Sequence, residues 1–159
     1  MEPEPVGTSE AAFRRAVIGD VPALLELQSA YYTEDAYPFN ERLARGAWEA
    51  LLADATLGTA WVAAARSQLV GYVVMTLGYS LEYRGRDAFV DELYVAPAWR
   101  GHGLGRRALS IVDAACEGLG VNALHLEVET DKEAAQALYR TWGFVDRRRV
   151  LMTKQIGSR

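Results

Sequence analysis

The chain predicts a single-domain α/β fold with a mixed sheet and helices on both faces, and three observations carry that prediction. Its 159 residues suit one domain with a sheet-centred core. Apolar residues switch along the chain between helical spacing and short β-rich runs. A glycine-rich loop joins an apolar strand to a helix, with another strand after it, which reads as a parallel crossover unit.

The first ten residues, from Met1-Glu2-Pro3-Glu4-Pro5, read as a disordered tail, and 11–155 as the domain. A short first strand occupies 13–17. Asp20 is placed to cap a helix with Pro22 in its first turn, and Val21, Leu24, Leu27, Gln28 and Tyr31 follow at helical spacing. Proline and acid content make 31–39 a loop, after which Asn40 caps a second helix to about residue 53. The periodicity then changes. Residues 60–65 and 69–77 are β-rich runs on either side of Arg66-Ser67-Gln68, an antiparallel hairpin. A polar loop over 78–87 leads to a strand over 89–95. Beyond the glycine loop a helix runs to about residue 117 and stops at Gly118 and Gly120, and 124–128 is again a strand. Asp131 caps a last helix, Gly143 ends it, and 144–154 returns as a final strand. The order is β-α-α-β-β-β-α-β-α-β, with no repeat and no second domain.

Composition narrows the classes of function. Half of the residues are hydrophobic (50%), but no apolar run approaches the roughly 20 needed to span a bilayer. The acidic start lacks the basic and apolar parts of a signal peptide, so a cytoplasmic location is expected. Cys116 is the single cysteine and falls at an apolar phase of a helix, which favours a buried, inert thiol over a nucleophile. A net charge of −4 argues against nucleic acid as the main partner.

The densest chemical signal is Arg100-Gly101-His102-Gly103-Leu104-Gly105. Its glycines leave main-chain N–H groups uncovered, and the following helix adds the positive end of its dipole. With Arg100, Arg106 and Arg107 alongside, such a site suits a ligand carrying more than one phosphate. Gly103 to Ala108 formally satisfies the dinucleotide fingerprint GxGxxA, with Glu127 or Glu129 as the later acid. Two features stand against it: Ala96-Pro97-Ala98-Trp99 separates the strand from the glycines, and only about 55 residues follow, too few for a two-half doubly wound sheet. No Lys-Ser/Thr pair follows the glycines, which excludes a P-loop. A glycine-rich turn without ligand is the plain alternative, and two flanking arginines at a helix start weigh against it.

The run Leu93-Tyr94-Val95-Ala96-Pro97-Ala98-Trp99-Arg100-Gly101-His102-Gly103-Leu104-Gly105 resembles the acetyl-CoA signature of the GNAT superfamily of N-acetyltransferases. Ala135-Gln136-Ala137-Leu138-Tyr139-Arg140-Thr141-Trp142-Gly143-Phe144 resembles the helix-to-strand segment that closes those domains. The likeness covers roughly 11–154, is strongest over 71–154, and over 71–105 is closest to the diamine acetyltransferase branch. It implies an enzyme that moves acetyl from acetyl-CoA to a primary amine by direct attack in a ternary complex. A non-catalytic acyl-CoA-binding or sensing module is the alternative. Homodimerisation is expected by analogy alone.

The resemblance also assigns roles. The pyrophosphate would rest on the N–H groups of Gly101, His102, Gly103, Leu104, Gly105 and Arg106, with Arg100 opening the motif. The pantetheine arm would pair with backbone at Leu93, Tyr94 and Val95, which requires the strands at 89–95 and 124–128 to splay. An N–H near Val95 would polarise the thioester carbonyl. An alkyl amine with a pKa of about 10.4 must lose a proton before it attacks. Asp91 and Glu92 are the candidate bases, and strand alternation puts them on opposite faces. Asp91 matches the diamine branch's carboxylate and is favoured. Tyr139 matches the family's general-acid tyrosine. Where the family commonly has Asn, this chain has Lys132, and that role is not carried over.

The acceptor, a small-molecule amine or a protein lysine, is expected beside 31–39 and 78–87. There Tyr31, Tyr32, Glu34, Asp35, Tyr37, Tyr79, Glu82 and Tyr83 favour a cation. No metal is expected: His125 lies near Glu127 and Glu129 without a third ligand at useful spacing. His102 contributes backbone. Trp48, Trp61, Trp99 and Trp142 read as packing residues, and Arg147-Arg148-Arg149 as a solvated edge.

Overall fold

The structure is a computed structural model that describes residues 10–157, so the expected tail lies outside it except for Glu10. The chain divides into two units, 1–127 and 128–159, each described by itself.

The first unit holds a five-stranded sheet of β1 (Ala12–Arg15), β2 (Gly58–Ala65), β3 (Gln68–Ser80), β4 (Gly85–Val95) and β5 (Ala123–Leu126), in that spatial order. β1 to β4 pair antiparallel. β4 and β5 pair parallel across the crossover helix α3 (Leu104–Leu119). On one face, Val21, Leu24 and Leu25 of α1 (Val21–Glu34) and Trp48 of α2 (Glu41–Ala53) bury against Ala60, Val62, Tyr72, Val74 and Tyr94. On the other face Leu104 of α3 packs with Ala63, Ala65 and Val70. Further along α3 the Cys116 thiol lies 3.7 Å from the Met75 sulfur, buried as the sequence predicts, and loss of hydration raises its pKa.

Local signals set most boundaries. The Asn40 side chain accepts from the Leu43 N–H at 3.1 Å and starts α2. Gly120 closes α3 at φ 66, a left-handed conformation that glycine adopts at little cost. Asp20 stands at the α1 N-terminus, yet its carboxylate does not cap that helix. It takes both arms of the Arg14 guanidinium at 2.8 Å and the Val17 N–H at 2.8 Å, tying β1 to the start of α1. Those hydrogen bonds, Arg14 first, hold the Asp20 pKa below the ordinary carboxylate value.

Three expected boundaries move. α1 runs on to Glu34, so Tyr31, Tyr32 and Glu34 sit on a helix and the connecting loop is 35–40. The polar stretch 78–87 is largely a hairpin, because β3 and β4 stay paired out to Ser80↔Gly85. In the second unit α4 (Glu133–Thr141) ends at Gly143, φ 102, as expected. The final strand expected over 144–154 is not formed: 144–156 has no regular structure among the described residues. Arg148, at φ 52, leaves extended backbone, and Val145, Val150 and Met152 stay exposed.

Candidate active site

β4 changes partners partway along its length. It pairs with β5 from Asp87↔Ala123 to Val90↔Leu126, where β5 ends, while β4 continues to Val95. On its other side β4 remains paired with β3 to Gly71↔Val95, and the Ala96 N–H donates to the Val70 carbonyl at 2.8 Å. Main-chain groups alternate direction along a strand. Leu93 and Val95 therefore aim their N–H and C=O toward the side that β5 has left, and Tyr94 aims its own at β3. A Cβ on Gly71 would sit 2.7 Å from the Tyr94 carbonyl, so glycine is what lets the two strands approach here.

The two acids straddle an irregularity. Met75 opposes Val90 and Val74 opposes Glu92, so Asp91 is the extra residue of a β-bulge. The clean opposition of faces expected for Asp91 and Glu92 is lost. Burial is the main cause that raises the pKa of Glu92 and of the Tyr32 phenol, and the nearby charge of Asp91 adds a smaller push to both. Asp91 has no hydrogen-bonding partner among the described residues, and loss of hydration raises its pKa.

Glu92 is the opposite case. Its carboxylate accepts from the Tyr72 hydroxyl at 3.0 Å, from the Gln28 amide at 3.0 and 3.2 Å, and from the Tyr32 hydroxyl at 3.3 Å. Trp48 Nε1 donates to the Gln28 carbonyl oxygen at 2.8 Å and fixes that amide's orientation. Burial raises the Glu92 pKa, while the Tyr72 and Gln28 donors pull it back. Rings enclose this anion. Tyr31 stacks on Tyr94 with centroids 5.5 Å apart, and Tyr32 meets Tyr37 and Phe39 edge-on at 5.8 Å each. Burial pushes the Tyr32 phenol up to about 12, so it is a donor at neutral pH. Sequence reasoning missed Tyr72 and the partnership of Gln28. The available signal was a glutamine in an apolar phase of α1, which needs a buried partner.

The glycine loop is a bare main-chain cradle. Gly101 and Gly103 take φ 79 and 80, and the Arg107 N–H bonds back to the Gly103 carbonyl at 3.1 Å as the first bond of α3. Among the described residues, none of the N–H groups from Gly101 to Arg106 has an acceptor. Their donor set fits a diphosphate. The arginines divide the work differently from the sequence expectation. Arg107 donates to the Ala11 carbonyl at 2.6 Å and covers Phe13, and Arg100 is engaged with Glu34 and Val95. Arg106 alone of the three has no such engagement among the described residues and is exposed.

Among the described residues, a run of main-chain donors thus lies next to the stretch of β4 that β5 leaves unpaired. The profile described as "Acetyltransferase (GNAT) family" matches residues 21–144. The chain belongs to this family. An N-alpha-acetyltransferase RimI of Mycobacterium tuberculosis is 42% identical over 80 residues, 48% of this chain and 45% of that protein. An uncharacterized protein of Mycobacterium leprae is 34% identical over 151 residues, 90% of this chain and 35% of that protein. The chain thus spans less than half the length of these curated relatives. A solved integron cassette protein from the mobile metagenome of Cole Harbour Salt Marsh superposes with a TM-score of 0.83 at 39% identity, over 92% of this chain and 91% of that one.

In this GNAT chain the remaining expected site residues fall as follows. Tyr139 lies on α4 in the second unit, its ring edge-on to Phe144 at 5.9 Å, and burial raises its pKa. Lys132 is the residue at the N-terminal cap of the same helix. His125 meets the Asp87 carboxylate at 3.2 Å, between the rings of Tyr83 and Phe89. Among the described residues no group of side chains is arranged to hold a metal, and no helix is long and apolar enough to cross a membrane. The 78–87 hairpin lies at the end of the β3–β4 ladder away from the glycine loop, whereas α1 adjoins Glu92, Tyr94 and Arg100, and Tyr37 and Phe39 of the 35–40 loop pack on Tyr32 of that helix.

Proposed function

We propose that this domain carries the acetyl group of acetyl-CoA to a primary amine by direct attack within a ternary complex. The observation that carries the reading is the run of unpartnered N–H groups from Gly101 to Arg106, set at the start of α3 beside the free edge of β4. In this reading Gly101, His102, Gly103, Leu104, Gly105 and Arg106 hold the diphosphate by main chain. Leu93 and Val95 present their backbone to the pantetheine arm. Tyr94 and Arg100 are withdrawn from direct contact, since the one is turned to β3 and the other is bound to Glu34.

The chemistry of the proposal rests on the β4 carboxylates and on the family resemblance. An acceptor arriving as an ammonium is drawn toward Asp91 and Glu92 and their ring of tyrosines. Asp91 is the better base: among the described residues no donor holds its charge, and desolvation raises its pKa. Glu92, already saturated by its donors, keeps a fixed negative charge behind it. As the freed nitrogen bonds to the acetyl carbon, the Val95 N–H supports the charge growing on the carbonyl oxygen. The carbon–sulfur bond breaks, and the departing thiolate takes a proton, for which the family resemblance alone nominates the Tyr139 phenol. A cytoplasmic location and a homodimer belong to the same proposal, and light scattering of the purified protein reads the second.

Calorimetry with CoA, followed by acetyl-CoA turnover against a panel of alkyl amines, aryl-alkyl amines and lysine peptides, tests the reading. Micromolar association and CoA release with at least one amine are expected. No association with CoA or its thioesters overturns it. Tyr139→Phe should lower kcat about 100-fold with acetyl-CoA affinity unchanged, and an undiminished rate removes Tyr139 as the acid.

A further inference from the structure

We propose that the Arg100–Glu34 pair is a positioning clasp that transmits occupancy of the glycine loop to the amine-side segment 35–40. The inference rests on the acetyltransferase reading above and goes beyond it. Arg100 directly precedes the first loop glycine, and its side chain points away from the phosphate cradle. The two terminal nitrogens of its guanidinium donate in parallel to the Glu34 carboxylate at 2.8 and 2.7 Å, and Nε donates to the Val95 carbonyl at 2.9 Å. The same guanidinium lies 5.6 Å from the Tyr94 ring centroid, and Tyr94 stacks on Tyr31 one turn back along α1 from Glu34. One planar fork therefore joins three things: the end of β4 that faces the thioester, the start of the cofactor loop, and the last residue of α1.

The consequence is mechanical. Gly101 and Gly103 give the loop freedom that no side chain restrains, and neither glycine has a Cβ for a neighbour to hold. A diphosphate bound to those N–H groups removes that freedom. Arg100 is continuous with the loop and rigidly forked to Glu34, so the ordering reaches the residue from which the 35–40 loop departs. Tyr37, whose N–H donates to the Tyr32 carbonyl at 2.8 Å and whose ring meets Tyr32 edge-on, then steadies with it, and Tyr32 itself donates to Glu92. A lone exposed ion pair would carry little of this, but a bidentate pair with a third hydrogen bond and a stacked ring fixes geometry as well as charge.

Hydrogen exchange of the full chain with CoA alone as probe tests the clasp. In the unmodified protein, CoA should slow exchange of the 35–40 amides about five-fold. In Glu34→Ala, CoA should bind with affinity within about two-fold of the original while that slowing disappears, and Arg100→Lys, which keeps charge but loses the fork, should behave alike. Glu34→Gln, which retains one acceptor for the fork, should keep part of the slowing and serves if the alanine variant folds poorly. Equal slowing in Glu34→Ala, Glu34→Gln and the unmodified protein, with CoA bound to all three, overturns the clasp while leaving the acetyltransferase reading intact. Absence of CoA binding to the unmodified protein overturns both.

Discussion

The two sides of the β4 terminus are built by opposite means. Toward the glycine loop, the donors on offer are main chain: among the described residues the N–H groups from Gly101 to Arg106 have no acceptor, while Arg100 and Arg107 turn to Glu34 and Ala11. Toward α1, the groups on offer are side chains: Glu92 gathers donors from Gln28, Tyr32 and Tyr72, and Asp91 stands out of register beside it. A diphosphate is the same in every acyl-CoA, so an unchanging cradle suits it. Under the proposed function acceptor amines differ, and the Asp91–Glu92 side that would meet them is made of groups that substitution can alter. What the molecule recognises by backbone it cannot easily lose, and what it recognises by side chain it can readily change.

Four substitutions test that contrast, in falling order of effect. Gly103→Val forces a β-branched residue to φ 80, a strain that should push the loop out of its present conformation. Affinity for CoA should fall about a thousand-fold, roughly 4 kcal/mol, by calorimetry. A loss below ten-fold would mean that side chains share the phosphate. Asp91→Asn should lower kcat about 100-fold while CoA affinity holds. In the unmodified protein kcat/KM should fall as pH drops through a pKa above the ordinary aspartate value, because the protonated carboxyl takes no further proton. That limb should vanish in the variant, and its persistence would move the base elsewhere. Glu92→Gln replaces an all-acceptor group with one that presents N–H to existing donors. It should cost about 2 kcal/mol in urea unfolding, with a raised amine KM. Unchanged stability would make the network ornamental.

The fourth concerns how α1 is anchored. Asp20→Asn weakens the tie to Arg14 and should cost about 1 kcal/mol at neutral pH. Because Asp20's folded pKa lies below its unfolded value, its contribution is complete above the unfolded pKa and is lost as pH falls through the folded one. The stability gap between the two proteins should therefore close in acid. A gap independent of pH would assign Asp20 a packing role and separate α1's anchorage from its charge.

The same contrast explains what the sequence made legible. The loop was readable because a main-chain site depends on local conformation, and glycines at fixed offsets announce it. The splay was readable through the family resemblance, and it appears as the end of β5 pairing at Leu126. The side-chain half was less open. Glu92's partners come from α1, from β3 and, through Gln28, from α2, and nothing local signals that they converge. The Asp91 bulge was invisible because alternation is a rule about unbroken pairing, and only the register of two strands reveals an extra residue. The 78–87 stretch was misread for a related reason: Tyr79 and Arg86 look polar and loop-like, yet ladder hydrogen bonds hold them in place. Beyond Gly143, hydrophobic composition promised a strand that Arg148's backbone does not continue.

Cys116, the chain's single thiol, sits on the buried face of α3 against the Met75 sulfur, and burial raises its pKa. A thiol-reactive dye can reach it only when that helix lifts from the sheet, so labelling kinetics become a clock for breathing of the crossover. The rate with CoA present divided by the rate without it would report how firmly a guest at one end of the helix pins the whole rod. No engineered probe is needed for that measurement.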